Sequence, residues 1–119
     1  MRGREPDLEP ADVFELLADD CARRIIAMAS VESRTARELA ERLDASERTV
    51  YRRLEQLESM GLLQTGMEID PGGHHRTLYE TALKSVLVEL GDGAYTVRID
   101  FEEDAPDRLA RIWGEMRGG

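Results

Sequence analysis

Between residues 35 and 63 the apolar positions recur with a helical period in two short blocks. In the first, Ala36, Leu39, Ala40 and Leu43 share one face of a helix. Thr35 with Glu38 ahead of that block is a capping box, in which each side chain satisfies a free N–H of the helix start. Asp44-Ala45-Ser46 interrupts the pattern, and Ser46, or Asp44 with Glu47 behind it, can cap the next helix. There Val50, Leu54 and Leu57 form the apolar stripe, while Arg48, Arg52, Arg53 and Gln56 fall largely off it. Met60-Gly61-Leu62-Leu63 closes the unit, with Gly61 where a helix end favours a left-handed residue. The pattern predicts two helices joined by a tight turn.

Upstream, Ala11–Ala29 carries a face of Phe14, Leu17, Ala18, Cys21, Ile25 and Met28 if it is one helix. Asp19-Asp20 can cap a fresh helix, and two segments are the favoured reading. Residues 1–10 hold two prolines and little to bury, which predicts a frayed arm; only Arg2 and Arg4 support the alternative of a basic arm that reaches a partner. Downstream, Leu62–Ile69 and His74–Thr81 read as strands about the turn Asp70-Pro71-Gly72-Gly73. A second hairpin spans 84–103 about Gly91-Asp92-Gly93. In it Tyr95, Val97, Ile99 and Phe101 alternate with Thr96, Arg98 and Asp100, so one face is expected to be buried. Asp104 and Pro106 then suit a helix start, followed by a stripe of Leu109, Ile112, Trp113 and Met116. That stripe either covers the hairpin or pairs with its counterpart in a second subunit.

The string SERTVYRRLEQLESMGLL (46–63) resembles the recognition helix and exit of winged helix-turn-helix regulators, most closely the ArsR-like group of haloarchaeal type. The preceding TARELAERL is similar to their supporting helix. The resemblance covers residues 12–83 well and the last third loosely. It implies an α+β fold, a three-helix core with a β-hairpin wing, extended by the second hairpin and the C-terminal helix. The division is an arm over 1–10, a DNA-binding domain over 11–83 and a packing or dimerisation extension over 84–119. By the same resemblance Ser46, Glu47, Arg48, Thr49, Arg52 and Arg53 lie on the major-groove face of a recognition helix spanning 46–60. A wing over 66–77 brings His74, His75 and Arg76 to phosphate or the minor groove.

The residue chemistry agrees with recognition rather than catalysis. Arginine makes two parallel hydrogen bonds to guanine O6 and N7 or clamps a phosphate. Thr49 and Tyr51 offer hydroxyls, and Thr35 sits at a helix N-terminus, where backbone N–H groups favour an anion. Glu47 either accepts from cytosine N4 or pairs with a neighbouring arginine. The plainer reading of the arginines is a solvated helix side balanced by Glu55 and Glu58. No nucleophile elbow, phosphate-cradling glycine loop or Cys/His metal set is present, so neither an enzyme nor a cofactor is expected. Adjacent residues on a strand face opposite ways, so His74 and His75 cannot jointly hold one metal without distortion.

Net charge is −9, which argues against nucleic acid until its distribution is considered. Residues 34–58 balance six basic against six acidic side chains, so the excess acid lies outside the helix pair. Lys84 is the single lysine among 16 basic residues. Acid excess with so little lysine fits a cytoplasm of molar salt, where screening shortens charge repulsion to ~3 Å. A halophilic source is therefore expected. A lone Cys21 permits no internal disulfide and fits a small buried apolar group better than a redox thiolate beside Asp19 and Asp20. No apolar run suits a membrane span or a leader, so a cytoplasmic location is expected. Together these give a homodimeric regulator of double-stranded DNA with no membrane partner and an unknown effector. The alternative is a winged-helix module that docks another protein.

Overall fold

The computed structural model describes residues 8–102. In chain order these form α1 (Pro10–Ala18), α2 (Asp20–Val31), α3 (Ala36–Leu43), α4 (Glu47–Ser59), β1 (Leu63–Ile69), β2 (His75–Thr81), β3 (Leu83–Gly91) and β4 (Ala94–Phe101). The fold is α+β, with four helices and two antiparallel hairpins, an arrangement compatible with a winged helix. Residues 1–7, and the predicted helix with Leu109, Ile112, Trp113 and Met116, lie outside the described residues. Pro10 opens α1, where its missing N–H costs no hydrogen bond.

The break at Asp19 is real. Its N–H donates to Leu16 O at 3.1 Å, and its carboxylate accepts from Ala22 N–H at 3.1 Å to cap α2. The break resets the helical phase. Val13 and Leu16 are buried in α1, whereas Phe14 and Ala18, placed on the apolar face of a single helix, are exposed. Phe14 instead meets Tyr95 edge-on, ring centroids 5.7 Å apart.

Ile25, Leu39, Leu54, Leu57 and Leu62 are fully buried and join α2, α3, α4 and the entry to β1 in one core. Each such side chain contributes ~1.5–3 kcal/mol through burial. Thr35 caps α3 in the predicted box with Glu38, and Ser46 caps α4 by accepting from Thr49 N–H at 3.1 Å. Between them Asp44 takes the left-handed conformation at φ 56, which a short polar side chain tolerates. Gly61, at φ 78, releases the chain into β1 as expected.

The first hairpin pairs Leu63 with Thr81 at its base and Ile69 with His75 near its tip. Three anchors hold that base. Arg34 and Tyr79 exchange backbone hydrogen bonds of 3.0 and 2.8 Å, Thr81 Oγ1 donates to Ile26 O at 2.7 Å, and Ala82 N–H donates to Leu62 O at 2.9 Å. The second hairpin turns at Asp92-Gly93, both at positive φ, which suits a two-residue connection. Its predicted buried face is buried only at the base. Ile99 is in the core and Val97 and Phe101 are half-buried, but Tyr95 is 55% exposed even where it meets Phe14 of α1.

Candidate nucleic-acid interface

Helix α4 buries Val50, Leu54 and Leu57 and presents three other rows of side chains. Helical spacing places Arg48 and Arg52 in one outward row, one turn apart. Both are exposed, and neither has an ion-pair partner among the described residues. Ser46 and Thr49, at the start of the same helix, are exposed, and their hydroxyls lie 3.0 Å apart. Glu47 is exposed in the first turn, where a carboxylate complements the helix dipole.

A second row, Tyr51, Glu55 and Glu58, borders the first hairpin. Burial pushes the Tyr79 phenol on β2 upward, and Tyr51, Glu58 and Glu55 push it further. The later turns of α4 are therefore acidic on the side of the hairpin, and the cationic end is the one that begins at Ser46.

Arg53 lies on the opposite flank and is not an outward-facing group. Its Nε is 2.7 Å from Asp19 Oδ2, and each side chain is 26% exposed. Sequence reasoning grouped it with Arg48 and Arg52; the rotation of about 100° per residue separates it from Arg52. The Ala22 N–H holds the Asp19 carboxyl below its ordinary value, with Arg53 assisting against the desolvation. Beside this pair is an open cleft of about 340 Å³ between α1 and α4, lined by Asp12, Leu16, Gln56 and Met60 among others. Cys21 is half-buried nearby; burial pushes its thiol upward and Asp19 adds to this, against Arg53 and Arg24.

Two further expected contacts are otherwise engaged. Thr35 is 6% exposed, its hydroxyl oxygen accepts from Glu38 N–H at 3.1 Å, and the Glu38 carboxylate accepts from Thr35 N–H at 3.0 Å. The capping box thus satisfies the Thr35 and Glu38 N–H groups of the α3 N-terminus from within the protein. On the wing, Arg76 pairs with Glu68 across the hairpin at 2.9 Å. Strand alternation sends His75, with Met67, Ile69 and Thr77, to the other face, the one continuous with Tyr79. His74 stays before β2, and its carbonyl accepts from Asp70 N–H at 3.2 Å. Gly73, at φ 92, donates to Asp70 O at 2.8 Å and tightens the turn. The structure thus gathers Ser46, Glu47, Arg48, Thr49 and Arg52 on one end of α4, with Tyr51 at its margin. Arg42, not singled out from the sequence, is a further exposed arginine without an ion pair among the described residues, in the last turn of α3.

No helix among the described residues is long and apolar enough to cross a membrane. No curated protein matches the chain. Residues 22–71 match the family described as HTH domain, from α2 through β1 to the wing turn. The helical core is thus similar to a helix-turn-helix domain, which suggests a DNA-binding regulator.

Proposed function

We infer that the protein is a sequence-specific transcriptional regulator of the ArsR-like winged type, binding promoter DNA as a homodimer. The observation that carries this reading is Arg48 and Arg52, without ion pairs among the described residues, on the outward row of α4, beginning at a capped helix N-terminus. Residues at the start of a recognition helix are the ones that reach base edges, and arginine there reads guanine. Arg48 and Arg52 serve as base and phosphate contacts, with Ser46, Thr49 and Tyr51 as hydroxyl partners. His75 and Thr77 on the wing face toward Tyr79 follow the adjacent groove. Two copies set their recognition helices about 34 Å apart and read an inverted repeat. The acid-rich, lysine-poor composition supports a working medium of molar salt.

Fluorescence anisotropy with the gene's own upstream duplex and a scrambled duplex, in molar KCl and at low salt, tests the reading. Selective binding is expected at both salts, and Arg52→Ala is expected to lose roughly 1–3 kcal/mol of it. Equal affinity for both duplexes, in folded protein, removes the reading.

One observation favours a second reading, a winged-helix module that docks another protein. Val88, Leu90 and Tyr95 on the second hairpin are 44%, 66% and 55% exposed. A stable hetero-complex isolated without DNA affinity would establish that reading.

A further inference from the structure

Three elements meet at Asp19. Its N–H closes α1, its Oδ1 opens α2, and its Oδ2 lies 2.7 Å from Arg53 Nε on α4. This is the shortest ion pair among the described residues and the one that ties α4 to another element. The other contacts that seat α4 are apolar: Val50, Leu54 and Leu57 face the core. Close packing of those three side chains seats α4 against the core, and on the Arg53 flank the helix borders an open cleft of about 340 Å³. On that flank the Asp19–Arg53 pair is the polar contact that resists roll of the helix about its own axis. With side chains reaching ~5–6 Å from the axis, a roll of roughly 10° carries an arginine tip by ~1 Å. Such a displacement spoils a paired hydrogen bond to one base.

We propose that Asp19 and Arg53 form a positioning strut that sets the roll of α4, so that Arg48 and Arg52 meet the DNA groove in one orientation. Arg53 is then a positioning residue that touches no phosphate. The proposal rests on the DNA-binding reading above, but the strut itself belongs to the free protein.

The test uses the full chain with Asp19→Asn, which keeps a capping side chain and removes the charge, and with Arg53→Gln. In the free protein, the ¹⁵N signal of the buried Arg53 Nε should shift when Asp19→Asn removes the neighbouring charge. The backbone signals of Glu47–Ser59 should shift together while the circular dichroism is unchanged. With DNA, each variant should bind the upstream duplex at least tenfold more weakly and the scrambled duplex as before. Counterion release distinguishes a strut from a phosphate contact. The slope of log affinity against log salt should stay at its wild-type value in Arg53→Gln and flatten by about one in Arg52→Ala. The double variant should be no weaker than either single one, since both remove the same link. The proposal is overturned if Arg53→Gln flattens the slope as Arg52→Ala does, or if both variants keep wild-type selectivity. A wild-type protein that distinguishes no duplex removes the DNA-binding reading alone. The NMR comparison then decides the strut, and an Arg53 Nε signal that Asp19→Asn leaves unmoved overturns it.

Discussion

The two hairpins share a plan and differ in what they put opposite each apolar residue. Each roots its base in the helical core, through Leu63 and Tyr79 in one and Ile99 in the other, and extends its tip beyond it. On the face of the wing continuous with that core, Met67 is opposite Thr77, and Ile69 is opposite His75. On the corresponding face of the second hairpin Val86 is opposite Ile99, Val88 opposite Val97 and Leu90 opposite Tyr95. Mixed pairs suit a surface that meets water, sugar and phosphate in alternation. A ladder of apolar pairs gains free energy only when another apolar surface covers it. The first hairpin therefore exposes a mixed face and the second an apolar one.

The comparison breaks most visibly at the bases. Ile99→Ala and Leu63→Ala should each cost about 2–5 kcal/mol in urea unfolding, because both leave a cavity in one shared core. If Ile99→Ala costs much less, the second hairpin is not rooted as the wing is. Turn geometry comes next. Gly73→Ala and Gly93→Ala place a side chain at φ 92 and φ 76, and each should lose roughly 1–2 kcal/mol in the same assay. At the tips, Val88→Ser with Leu90→Ser should alter self-association in light scattering, with stability changed by no more than about 0.5 kcal/mol. Met67→Ser with Ile69→Ser should leave association unchanged and alter DNA affinity; an exchange of these two outcomes would invert the comparison. The smallest effect is expected from Glu68→Gln. It breaks an exposed pair and should change stability by about 0.5 kcal/mol or less, measured against Arg76→Gln.

What the sequence made legible was local. The Thr35–Glu38 box, the Ser46 cap, Gly61 and the Asp92-Gly93 turn each rest on residues within a few positions of one another, where spacing and chemistry suffice. The misplacements were non-local or a matter of phase. Arg53 looks like Arg52 in sequence, and its partner Asp19 lies far back along the chain, so no periodicity could pair them. A single break at Asp19 rotated the apolar face of α1, which moved burial from Phe14 and Ala18 to Val13 and Leu16. The exposure of Tyr95 depends on how much of its ring α1 covers through Phe14, which alternation along the strand does not encode.

The short bridge between Arg34 and Tyr79 has a consequence for how the wing moves. Because β2 is held on both sides at its base, by β1 and by Arg34, the wing is a lever clamped at one end. Amide hydrogen exchange along it should form a gradient, slowest at Tyr79 and Arg34 and fastest from Glu68 to His75, with Leu78 and Thr77 between. A DNA backbone held against the tip would flatten that gradient from its fast end and leave the clamp unchanged.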